Sequence, residues 1–157
     1  MRTKQSTLSS LRLLRQCLLL GFLLSPVMTV GQDSDSSYGT VSVSRIIRVI
    51  DGDTFVVDID QFPDLIGKNI SIRVNGIDTP ELRGKCDNEK SLAVKAKERV
   101  ETLLKTSDTI MLENLSRGSF FRIVADVMID GVSLGELLLK ENLAAIYQSN
   151  DNNKWCP

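Results

Sequence analysis

The residues best suited to chemistry fall in three short segments: Ile50-Asp51-Gly52-Asp53-Thr54, then Arg73 followed by Asp78-Thr79-Pro80-Glu81, and finally Arg122. Asp53 and Asp78 each fall just beyond the end of a predicted strand, where hairpin connections bring them together. Two adjacent carboxylates repel unless a proton or cation intervenes, and a site built only of oxygens suits a hard cation such as Ca2+ or Mg2+. Thr79 precedes a proline, which biases its backbone toward an extended form and aims its carbonyl outward as a further oxygen ligand. Glu81 is placed to take a proton from water. Arg73 and Arg122 fall on the polar faces of their strands, where a pair of guanidiniums forks onto phosphate oxygens. The chain has no histidine, which excludes Ser-His-Asp triads, Cys-His dyads and histidine zinc sites.

Taken singly, each piece has an ordinary explanation. Asp-Gly is commonly a hairpin turn, an Asp before Thr-Pro an Asx turn, a strand arginine a solvated face, and Glu81 a surface charge. The spacing Arg-x4-Asp-Thr-Pro-Glu after Ile-Asp-Gly-Asp-Thr makes a chance assembly less plausible.

The elements that must position these residues follow from periodicity. Residues 41–50 and 54–60 read as strands joined at Asp51-Gly52, the second with Phe55, Val57 and Ile59 on one face. The stretch FPDLIGKN reads as a loop. Residues 70–77 form a third strand, with Ile70, Ile72 and Val74 on the face opposite Arg73. From Asn88 to Lys105 the period changes, and Leu92, Ala96, Val100 and Leu103 mark an amphipathic helix capped by Asp87 or Asn88. Strands at 108–115 and 120–129 follow, the latter carrying Arg122 and turning Phe121, Ile123, Ala125, Val127 and Ile129 inward. After a turn at Asp130-Gly131, Ser133 and Glu136 make a capping box for a short helix, Leu134 to Glu141, which Asn142 stops. The order β-β-β-α-β-β-α predicts an α+β chain. Its centre is a five-stranded Greek-key OB-fold barrel with a helix between strands 3 and 4 and a short C-terminal helix.

From about Arg45 to Tyr147 the sequence resembles the staphylococcal nuclease (thermonuclease) family, through IDGDT and R-x4-DTPE above all. The resemblance implies that Asp53, Asp78 and the Thr79 carbonyl bind calcium (Ca2+). It implies that Glu81 is the general base acting on water and that Arg73 and Arg122 are the phosphate-binding arginines. It further implies a nucleic-acid substrate, DNA or RNA, cut to 3′-phosphate ends. Phe120-Phe121 stand where the family often has Tyr-Gly before the second arginine. Phe120 is read as a base-stacking platform and Phe121 as core. Tyr147 either lines a base pocket or packs on the barrel. Two other functions stand beside the nuclease: a catalytically silent OB module that binds nucleic acid or a protein partner, and a structural protein whose acidic turns hold calcium.

Residues 1–31 read differently. They carry Arg2, Lys4, Arg12 and Arg15, no acid, and an uncharged run from Gln16 to Gly31, the pattern of a signal peptide cut after Gly31. The rival reading is an uncleaved anchor, against which stand the shortness of the run and Ser25-Pro26 within it. Residues 32–40 form a polar linker and 41–157 the domain. Cleavage predicts a secreted or periplasmic protein with no stable membrane association, and nothing in the sequence points to an oligomer. Of 19 bases and 20 acids, four bases and no acid precede residue 32, leaving 15 against 20 and a net charge of −5. Such a chain does not hold nucleic acid by bulk charge and must focus its arginines in one cleft. In an oxidising compartment, Cys86 and Cys156 are expected to form a disulfide, the alternative being two free thiols.

Overall fold

Barrel closure depends on two neighbouring backbone amides. In a computed structural model describing residues 38–147 and 154–156, the Val43 N–H donates to Ile110 O at 2.9 Å and the Ser44 N–H to Asp58 O at 2.9 Å. The run read as one strand over 41–50 is therefore two, β1 (Val41–Ser42) and β2 (Arg45–Val49). The chain changes pairing partner between them because it links opposite edges of one curled sheet. The leader and residues 32–37 of the linker lie outside the described residues.

The sheet order is β1-β6-β7-β4-β3-β2, with β8 added to β7. Here β3 is Thr54–Asp58, β4 Ile70–Val74, β6 Ile110–Arg117, β7 Ile123–Ile129 and β8 Val132–Ser133. β4 and β7 run parallel and the other pairs antiparallel. A separate ribbon pairs β5 (Ile77–Asp78) with β9 (Ala145–Ile146), an element with too little periodicity to announce itself. The result is the α+β half-barrel of an OB fold. Its core gathers Phe55, Val57, Ile72, Val74, Leu112 and Val127 from the strands with Val100, Leu104, Leu134 and Leu138 from two helices.

Several local expectations change. The stretch FPDLIGKN contains a one-turn helix, α1 (Asp64–Gly67), begun by Pro63, whose carbonyl accepts from Ile66 and Gly67. All five residues of β3 are buried, so this strand does not alternate inside and outside. The long helix α2 (Asp87–Thr106) begins from Cys86, which makes no side-chain cap, and buries Ala93, Ala96, Val100 and Leu104 rather than Leu92 and Leu103. Small side chains on that face permit a close approach: a Cβ on Gly52 would come within 2.8 Å of Ala96 Cβ and 3.0 Å of Thr79. The last helix, α3 (Leu134–Lys140), has the expected Ser133 cap, whose Oγ accepts the Glu136 N–H at 3.3 Å, and Asn142 ends it at φ +57°.

The largest correction concerns residues 119–121. They are not strand. The β6–β7 hairpin closes when the Gly118 N–H donates to Arg122 O at 2.9 Å, which leaves Ser119–Phe121 as a tight 3-10 turn. Phe120 and Phe121 both take left-handed conformations (φ +56° and +59°) and are exposed, so Phe121 is not a core residue. Arg122 ends that turn and precedes β7 rather than lying within it.

Candidate active site

Strand register assembles the site. β4 pairs with β3 so that Arg73 faces Thr54, one residue from Asp53, and with β7 so that Arg73 faces Val124. Arg122 stands just before β7, at the end of the turn, where its Nε donates to Ser119 O at 3.3 Å. The two arginines line one cavity of about 410 Å³, together with Asn75, Gly76 and Tyr147. Tyr147 is fixed there by its N–H to Gly76 O (2.9 Å), and the Arg73 guanidinium carbon lies 5.9 Å from its ring centre.

Arg73 also gathers the carboxylates. Its Nη1 donates to Asp53 Oδ1 at 2.6 Å and its Nη2 to Asp78 Oδ1 at 3.2 Å, so oxygens from both acids converge on one cation. Asp53 is buried and accepts three further bonds, from Thr54 Oγ1 (2.8 Å) and from the N–H and hydroxyl of Thr79 (both 3.2 Å). Burial pushes the Asp53 carboxyl up to about 6, against the opposing pull of Arg73. Glu81 is more exposed, yet its carboxyl is also raised. Partial burial is the main cause, followed by the charges of Asp51 and Asp78, with Arg73 opposing. Glu81 therefore belongs to the same electrostatic cluster.

An all-oxygen donor set suits a hard divalent cation. Asp53 and Asp78 already present oxygens to a common positive charge, and a carboxylate whose burial disfavours its ionised form is one that a cation would stabilise. The residues fit calcium. The Cys86–Glu89–Cys156 group also brings ligand atoms close together, but its sulfurs are bonded to each other, S–S 2.16 Å, which leaves no thiolate for a metal.

A family model described as staphylococcal nuclease homologue matches residues 71–155. The chain belongs to that family. Its match takes in Arg73, Asp78, Thr79, Glu81, Arg122 and Tyr147; Asp53 precedes it and joins the site through the β3–β4 register. Membership in the staphylococcal nuclease homologues makes this a nuclease-type domain and nucleic acid its general class of substrate. Comparison with curated proteins returns no match.

Of the residues expected at the site, Arg73, Arg122, Asp53, Asp78, Thr79, Glu81 and Tyr147 come together, whereas Phe120 does not: it is 93% exposed and lines neither cavity beside Arg122. The Cys86–Cys156 bridge is present. Three neighbours escaped the sequence reading. Asp51 accepts the Asp53 N–H at 3.1 Å, a role that the Asp-Gly turn signal masked. Lys154, almost buried, approaches Asp78 Oδ2 at 3.7 Å, carried there by the tail that Cys156 ties to Cys86. Buried Glu89 accepts the Lys85 N–H at 2.7 Å and bears on the loop that holds Glu81. Only its place in the first turn of α2 hinted at such a bond.

Proposed function

We propose that this protein is a calcium-dependent phosphodiesterase that hydrolyses DNA, RNA or both to 3′-phosphate products, acting as a monomer outside the cytoplasm. The observation that carries this reading is the convergence of Asp53 and Asp78 on Arg73, which lines one cavity with Arg122. Asp53, Asp78 and the Thr79 carbonyl would hold calcium, which when bound would supply Lewis-acid neutralisation of the phosphate. Glu81 takes a proton from the attacking water as its oxygen bonds to phosphorus. Its raised carboxyl makes it a stronger base once ionised than an ordinary surface glutamate. Arg73 and Arg122 hold the charge that builds on the non-bridging oxygens. The P–O5′ bond breaks, and the 5′-oxygen leaves as a hydroxyl after taking a proton from solvent. Export is favoured by the basic-then-apolar leader and by a disulfide, since such bonds persist in oxidising compartments.

The test is to incubate the purified protein with single-stranded DNA in calcium and then in chelator. Calcium-dependent cleavage that Glu81→Gln or Arg122→Ala lowers by about 100-fold or more is expected, the scale on which general-base and charge-stabilising groups act. DNA binding without cleavage in any metal identifies a silent OB module instead, and calcium binding without either identifies a structural role.

A further inference from the structure

Arg122 divides two cavities. One is the site above. The other, about 340 Å³, opens on its far side, is mostly apolar, and is walled by Tyr38, Phe62, Ile66, Arg117 and Phe121. Its size lies in the roughly 300–1,000 Å³ range of small-ligand clefts. Its aromatic walls are held open. Tyr38 is 70% exposed, although its N–H is pinned to Leu115 O at 2.8 Å, so the ring stands in solvent on a fixed backbone. Phe121 is 56% exposed and left-handed, a backbone state that costs a non-glycine residue energy and that concentrates at functional sites. The Arg117 guanidinium sits 5.4 Å from the Phe121 ring centre at the rim.

We infer that this groove is a second nucleotide subsite. It receives a base of the strand whose scissile phosphate lies between Arg73 and Arg122, and Arg117 faces the phosphate beyond that base. Three features select this occupant. The groove continues directly from the cleavage site through a shared arginine. Its apolar aromatic walls match the faces of a base, which every base offers regardless of sequence. The cations at its rim, Arg117 and Arg122, match a polyanionic strand and would be left facing apolar groups by a lipid chain or an apolar peptide. In a chain whose net charge beyond residue 31 is acidic, such local pairing of arginine with aromatic surface is what a strand would track.

This inference rests on the nuclease reading, and the experiment separates the two. The probes are a twelve-residue oligothymidylate and its abasic counterpart, which has the same phosphates and no bases, both cleaved in calcium by the full chain. Tyr38→Ala, on the wall away from the catalytic groups, is expected to raise KM for oligothymidylate about tenfold, within the range of base–aromatic stacking. It should leave kcat and the abasic KM unchanged. Tyr38→Phe should restore wild-type values. Phe121→Gly, which removes the ring where glycine is the favoured residue, should raise the same KM selectively and does not threaten the fold. Cleavage by wild type with Tyr38→Ala unchanged on oligothymidylate overturns the subsite alone, as does an equal KM rise on both probes. Failure of wild type to cleave either probe overturns the nuclease reading itself.

Discussion

Replacing Asp53 by Asn should change the pH dependence of folding in a direction fixed by its burial. The Asp53 carboxyl titrates near 6 in the fold against 3.8 when free, so the folded state holds its proton more tightly than the unfolded state does. A shift of about two units corresponds to roughly 3 kcal/mol. The sign follows. Below pH 3.8 both states are protonated and the site carries no penalty. Between about pH 4 and 6 stability falls as the unfolded state ionises first, and above 6 the full penalty remains. Asn cannot titrate, and Arg73 keeps Asp78 as its second partner in the variant. The difference in unfolding free energy between wild type and Asp53→Asn, measured by urea denaturation in chelator, should therefore move by about 3 kcal/mol against wild type from pH 3 to pH 7. Added calcium should remove the slope for wild type only. A difference that stays flat across this range would show that Asp53 is not held as its burial demands.

Three further outcomes follow from packing and covalent geometry. Replacing Cys86 and Cys156 with Ser opens a loop of 70 residues. By loop-closure entropy this costs ~4 kcal/mol, which thermal melting should read as a fall of roughly 15 °C for a domain of this size. Gly52→Ala places a methyl 2.8 Å from Ala96 Cβ, and should lower stability by about 1–3 kcal/mol as overpacking does. It should lower kcat as well, because Gly52 precedes Asp53. Arg73→Lys keeps the charge but cannot span Asp53 and Asp78 with two planar N–H groups. Steady-state kinetics should show a fall in kcat/KM of about tenfold or more, and an unimpaired enzyme would remove Arg73 from the chemistry.

What the sequence made legible was local. Alternation placed Ile70, Ile72 and Val74 inward and Arg73 outward, because that strand has one buried and one open face, and Ser133 with Glu136 marked a helix start by hydrogen-bond chemistry alone. Chain-closing events were not legible. Nothing in VSVSRIIRVI shows that residues 43 and 44 serve opposite sheet edges, since both halves have the same β-branched character. Phe120 and Phe121 have strand propensity, and the hairpin turn overrides it once Gly118 pairs with Arg122. The Gly118-Ser119 pair was the signal that favoured a turn. Of the helix positions marked by periodicity, Ala96 and Val100 are buried, while Ala93 and Leu104 are buried in place of their neighbours Leu92 and Leu103, an adjustment that periodicity does not contain. At the candidate site, the residues of R-x4-DTPE are neighbours in sequence, but Lys154 arrives through the disulfide from 76 positions beyond Asp78, and no local pattern encodes that approach.

The charges explain why such a site would need a cation. Four carboxylates, Asp51, Asp53, Asp78 and Glu81, share a neighbourhood with Arg73, Lys154 and, across the cavity, Arg122. Arg73 is already committed to two of those acids. An incoming phosphate would thus meet a region that is negative on balance whenever Asp53 is ionised, and the arginine best placed to receive it is occupied. A divalent ion on the carboxylates would reverse both conditions: the local balance would turn positive, and Asp53 and Asp78 would be shared between the ion and Arg73, whose guanidinium would be freer to face the substrate. Metal dependence on this reading is set by the chain's own acids, and phosphate binding in chelator should be weaker than calcium's direct contact with the phosphate alone would account for.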